Sequence, residues 1–172
     1  MLQLENLTPY QTERSALVDL DGSEIWVVAV KATFNFADGD LKLADDQEQV
    51  DLIDGYFGEP GHSSLRREGE LVFRKPSTDV VINGHAYAPK GKPVSKLDVA
   101  IDVAGRKKVI RVYGDRWWKA GLSMSAPDPF ERMPLVYERA FGGTDTSSPN
   151  AKDHAAEMRN PIGVGFATTR HS

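Results

Sequence analysis

Catalysis or metal binding in this chain would have to come from a sparse set of residues. Its four histidines, His62, His85, His154 and His171, never pair at i,i+2 or i,i+4, and there is no cysteine. A zinc site would need ligands gathered from separate loops, so solvated or strand-face histidines are the simpler reading. The lack of cysteine excludes disulfides, thiolate catalysis and Cys-ligated iron–sulfur clusters. Ser123 and Ser125 lie in GLSMSAP, without the G-x-S-x-G elbow that presents a nucleophile. Asp79, Asp98, Asp102 and Asp115 could supply the carboxylate pair of a glycoside hydrolase. Acids at i and i+4 on a strand, however, describe an ordinary polar outer face. Lys90 and Lys92 sit in APKGKP, a Gly/Pro turn without the strand–loop–helix setting of a phosphate loop. No constellation supports an enzyme, and none calls for a cofactor.

Two other stretches carry binding chemistry instead. Gly114-Asp115-Arg116-Trp117-Trp118 follows a β-type run. Trp, Tyr and Arg are the side chains that anchor protein interfaces and stack on sugars. One tryptophan is expected to cap the core, with Arg116 pairing to Asp115 or a carbonyl, and the other is open for binding. DPFERMPLVYERAFGGTD, residues 128–145, adds Tyr137, Arg139 and Phe141 before a Gly142-Gly143 turn. As a strand, Tyr137–Phe141 would set both aromatics on one face with Arg139 between them. Arg116, Trp117, Trp118, Tyr137, Arg139 and Phe141 are the candidate interaction residues.

The elements that must position them read as mainly β. Fifteen glycines and ten prolines punctuate 172 residues, with short β-type runs between. Ile25–Phe36 reads as one strand, its Trp26, Val28, Val30, Ala32, Phe34 and Phe36 sharing a face, and Ala16–Leu20 pairs with it through Asp21-Gly22. Residues 38–62 are an acidic excursion. Glu70–Arg74 and Asp79–Ala88 follow as strands, and Val94–Val103 with Lys107–Tyr113 forms the clearest hairpin. A short helix is expected at Lys152–Met158. The pattern predicts one β-rich domain over residues 1–172, an antiparallel sandwich or partly open barrel with long loops and at most one or two short helices.

Charge is unevenly spread: residues 1–60 hold 13 acidic and 3 basic side chains, residues 61–172 hold 12 and 18. Interleaving of acidic loops with basic strands is the expected outcome, and two opposed faces suited to steering a partner the sharper one. Nucleic-acid binding is disfavoured by a pI near 5.6 and by the lack of a basic cluster with stacking aromatics. No apolar run reaches membrane-span length, and MLQLENLTPYQTE has neither the positive charge nor the apolar core of a signal peptide.

An ordered series of motifs then carries a resemblance. Lys75-Pro-Ser-Thr-Asp79, Gly84-His-Ala-Tyr-Ala-Pro89, Gly114-Asp-Arg-Trp117, Ser125-Ala-Pro-Asp-Pro-Phe130, Met133-Pro-Leu135, Tyr137-Glu-Arg-Ala-Phe-Gly-Gly143 and Asn160-Pro-Ile-Gly-Val-Gly-Phe166 occur in that order. Together they resemble the bacterial family known as domain of unknown function 2169, associated with type VI secretion. The resemblance implies a non-catalytic adaptor or chaperone of the bacterial cytoplasm. Such a protein holds a type VI effector near its N-terminal region and helps load it onto the secretion spike. It also implies a longer protein, since family members continue past the Asn-Pro-x-Gly-x-Gly-Phe segment; residues 1–172 would then be an N-terminal part, or a short member. Val164 departs from the pattern, where a polar or basic residue is expected. If strands are missing, an exposed sheet edge would take a partner, either the effector or a second copy. The competing expectation is a carbohydrate-binding β-sandwich using Trp117, Trp118, Asp115 and Asn83.

Overall fold

The computed structural model describes residues 3–117, 119, 123–144 and 148–163. The chain is mainly β, as its alternation and turn spacing predict. Among the described residues, ten strands pair as five two-stranded antiparallel ladders. Short 3-10 turns are the only helical elements among the described residues, and no helix there is long and apolar enough to cross a membrane. Two compact units emerge, Met1–Phe57 with Leu65–Val81, and Gly58–Ser64 with Ile82–Ser172.

In the first unit, β1 (Gln11–Val18) and β2 (Glu24–Lys31) form the expected hairpin, in register from Gln11↔Lys31 to Val18↔Glu24. Its turn closes with the Asp19 amide on the Ser23 carbonyl and the Gly22 amide on the Asp19 carbonyl, both at 2.9 Å. Along β2 it is Ile25, Val27, Ala29 and Lys31 that are half-buried, while Trp26, Val28 and Val30 face outward. Trp26 receives the Arg14 guanidinium 5.6 Å from its ring centroid. The strand does not run on to Phe36 as predicted, because Thr33 leaves the ladder. Its amide donates to Gln47 Oε1 at 2.8 Å, and its carbonyl accepts from Gln47 Nε2 at 3.0 Å and the Ala44 amide at 2.9 Å. A new hairpin follows, β3 (Phe34–Ala37) with β4 (Asp40–Leu43).

Next come β5 (Gly55–Tyr56) and β6 (Leu65–Arg67), which pair with each other. Glu70–Arg74 is not a strand. Glu70 instead closes an ion cluster: Lys31 Nζ lies 2.8 Å from Asp51 and 3.2 Å from Glu70, and Arg67 Nε lies 2.9 Å from Asp51. Burial works against the Lys31 ammonium, but its hydrogen bonds to Asp51 and Glu70 outweigh it and hold its pKa above the usual lysine value.

The second unit contains β7 (His85–Tyr87), β8 (Lys96–Val103), β9 (Arg106–Tyr113) and β10 (Arg132–Pro134). The β8–β9 hairpin is in register from Lys96↔Tyr113 to Val103↔Arg106. It turns through Ala104 and Gly105, both with positive φ (50° and 77°), one residue earlier than Gly105-Arg106 suggests. The strand expected over Asp79–Ala88 contracts to β7, which pairs with β10. Ala86, Val112, Phe130 and Met133 make the core, with Val94, Leu97, Val99 and Leu135 packed against it. Val94 and Phe130 exchange both backbone hydrogen bonds at 3.0 Å, which seats Phe130 in that core. The helix expected at Lys152–Met158 is a single 3-10 turn, Ala151–Asp153, whose entry is capped by Asn150 accepting from the Lys152 amide.

Candidate protein-interaction site

The motif segments of the second unit meet one another. His85-Ala-Tyr87 and Arg132-Met-Pro134 are ladder partners, extended by the Ala88 amide on the Glu131 carbonyl and the Leu135 amide on the Gly84 carbonyl. Gly114 follows β9 and donates to the Ser95 carbonyl at 3.0 Å. A Cβ at that position would overlap the Asp128 carbonyl, so Gly114 lets the Ser125–Phe130 segment approach. Asp115 accepts the Asp128 amide on its own carbonyl at 3.0 Å. Trp117 is clasped through its backbone, its amide donating to Ser125 Oγ at 3.0 Å and its carbonyl accepting the Ser125 amide at 2.9 Å.

These clasps position the predicted residues as follows. Arg116 is half-buried, its guanidinium 5.0 Å from the Tyr113 ring centroid. Trp117 is half-buried beside it. Trp118 lies outside the described residues, as does Val164. Arg139 pairs with the Asp115 carboxylate, which links the Gly-Asp-Arg-Trp and Tyr-Glu-Arg-Ala-Phe motifs directly. Tyr137 and Phe141 are 64% and 73% exposed.

Tyr137–Phe141 is not a strand. Tyr137–Arg139 forms a 3-10 turn, with the Ala140 amide on the Tyr137 carbonyl at 3.0 Å. The cause lies in Asn160. Its Nδ2 donates to the Tyr137 carbonyl at 2.9 Å and to the Phe141 carbonyl at 3.0 Å. In a strand, carbonyls four residues apart stand about 13 Å from each other, beyond the reach of one nitrogen. Asn160 also accepts the Gly143 amide at 2.8 Å on its own carbonyl. Gly142 sits against it with φ 141°, and a Cβ there would come within 2.8 Å of the Asn160 Cβ. Gly142 is thus required by close approach, and Gly142 and Gly143 (φ 120°) both hold a backbone region that side chains rarely adopt.

Glu138 fixes the turn from its other side. Its carboxylate accepts from the Ser64 amide at 2.6 Å and from the Ser64 hydroxyl at 2.7 and 2.9 Å. Ser64 is 4% exposed. Burial disfavours the Glu138 carboxylate, but the Ser64 donors prevail and hold its pKa below the usual value. Glu138, Arg139 and Asn160 thus each tie the turn to another segment through their side chains, while the rings of Tyr137 and Phe141 are exposed. Asn160, Glu138 and Ser64 were not among the predicted functional residues. Asn160 and Glu138 lie in the motif series, but nothing local to Ser64 marks it, since its partner is 74 positions away.

In this mainly β chain the Tyr137–Arg139 turn is tied down by part-buried hydrogen bonds from Ser64 and Asn160. The chain belongs to the family described as "Uncharacterized protein conserved in bacteria (DUF2169)", whose family model spans residues 21–172. No curated protein and no solved structure matches the chain.

Proposed function

We propose that this protein is a non-catalytic adaptor of the bacterial cytoplasm. It binds a type VI secretion effector at its N-terminal region and helps load that effector onto the spike. The observation that carries the reading is the exposure of Tyr137 and Phe141 at a turn anchored through Ser64, Asp115 and Asn160. Rigid aromatic anchors lose little conformational entropy on binding and dominate the energetics of protein interfaces. Family membership supports the bacterial setting, and the ordered motif series supports the link to type VI secretion. Arg116 and Trp117, half-buried near Asp115, serve as support for that surface.

The test uses the full chain as bait in its native lysate, with captured proteins identified by mass spectrometry, and then the effector expressed alone. Recovery of a type VI effector or spike component, and an effector that is poorly soluble or poorly secreted without this protein, are the expected results. An effector equally soluble and equally secreted in its absence refutes the proposal.

A further inference from the structure

The segment leading into β7 joins an exposed asparagine to a glycyl amide. Residues 78–84 form neither strand nor helix, and residues 72–83 are all exposed. Among the five asparagines of the chain, only Asn83 precedes a glycine, Gly84. The others precede Leu7, Phe36, Ala151 and Pro161. A side chain crowds the following amide in the first three cases, and proline has no N–H in the last. Gly84 has no Cβ to shield its amide nitrogen. That amide donates to no backbone carbonyl among the described residues, whereas the Gly84 carbonyl accepts the Leu135 amide at 2.9 Å.

We propose that Asn83-Gly84 is a self-modification site, at which asparagine converts to isoaspartate and thereby loosens β7 from β10. The Gly84 amide nitrogen gives up its proton to solvent and attacks Asn83 Cγ. The new N–Cγ bond closes a five-membered succinimide, the Cγ–Nδ2 bond breaks, and Nδ2 leaves as ammonia. Water then opens the ring at either carbonyl. One opening gives aspartate; the other gives isoaspartate, whose main chain runs through Cβ. The net change is amide plus water to acid plus ammonia, with nothing oxidised or reduced. Isoaspartate lengthens the main chain by a methylene directly before Gly84, and so displaces the carbonyl that holds the Leu135 amide. The site does not use the Tyr137 turn and does not rest on the adaptor reading.

The test incubates the full-length native chain in mildly alkaline buffer, with peptide mass spectrometry and isoaspartyl methyltransferase labelling to locate the product. The amide-to-acid mass change is expected at Asn83 before any other asparagine, and faster as pH rises, because the attacking nitrogen must be deprotonated. Gly84→Ala should slow it about tenfold or more, since a side chain crowds and restricts the amide. The fold tolerates that variant: Gly84 has no positive φ, and a Cβ there meets only Ile82 Cγ2, at 3.8 Å. The isoaspartyl form should lose hydrogen-exchange protection at the Leu135 amide. Asn83→Asp, which adds the charge without the methylene, should keep it. Conversion that spares Asn83, conversion only in urea, or an equal rate in Gly84→Ala overturns the proposal. So does an isoaspartyl form with Leu135 as protected as in the unconverted chain.

Discussion

Asn160→Ala removes one side chain and with it two hydrogen bonds, to the carbonyls of Tyr137 and Phe141 at 2.9 and 3.0 Å. Each is part-buried, and a typical intramolecular hydrogen bond contributes about 0.5–1.5 kcal/mol net. The pair is therefore worth about 1–3 kcal/mol, with the upper end reached if the freed carbonyls stay shielded from water. Asn160 itself is 8% exposed, so truncation also leaves a small void, which pushes the cost upward. The loss should be local in origin. Amides from Tyr137 to Gly143 should exchange faster, while the β8–β9 hairpin, held by its own ladder, keeps its protection. Asn160→Asp is the sharper variant. It preserves size but replaces the donor with an acceptor facing two carbonyl oxygens, and should cost at least as much as alanine. Urea denaturation gives the stability change, and hydrogen exchange followed by mass spectrometry locates it. An unchanged midpoint for both variants, with unaltered exchange over residues 137–143, would refute the role assigned to Asn160.

Three further outcomes follow from the same contacts. Glu138→Gln leaves the buried Ser64 amide and hydroxyl with weaker, uncharged acceptors and should cost about 1–3 kcal/mol at neutral pH. Because the Glu138 carboxyl is held below its ordinary value of 4.5, its contribution is complete above that value and is lost as pH falls through the lowered folded value. The variant should therefore lose less stability than the wild type over that acid range, which denaturation curves at several pH values would reveal. Gly114→Ala sets a Cβ against the Asp128 carbonyl backbone, so thermal unfolding should show a loss of more than about 3 kcal/mol, among the larger effects of a single substitution. Tyr137→Ala and Phe141→Ala, at exposed rings, should each change stability by less than about 0.5 kcal/mol.

The two long hairpins were legible because their signals are local. Asp21-Gly22 and the alternation of Leu97, Val99, Ile101 and Val103 specify turn and face within a few residues. The breaks were not, because they depend on distant partners. Thr33 is drawn from the ladder by Gln47, and Tyr137–Arg139 is held as a turn by Asn160, 23 positions on from Tyr137, which gathers two carbonyls, and by the Glu138–Ser64 contact. Period-two spacing of Trp26, Val28 and Val30 identified a shared face but not which side of β2 is covered, since both rows begin apolar. At the candidate site, residue type selected Tyr137 and Phe141, but the turn that exposes them depends on Glu138 meeting Ser64 and on Asn160, contacts that no local pattern reveals. Arg139 pairs with Asp115, 24 positions earlier in the chain.

The most direct test of the adaptor reading is the affinity of the captured effector for the Tyr137→Ala/Phe141→Ala double variant, measured by calorimetry alongside the wild type. Anchor aromatics typically contribute about 2 kcal/mol or more each, so the double variant should bind roughly a thousandfold more weakly while unfolding at the wild-type temperature. Wild-type affinity in a folded double variant would contradict the account.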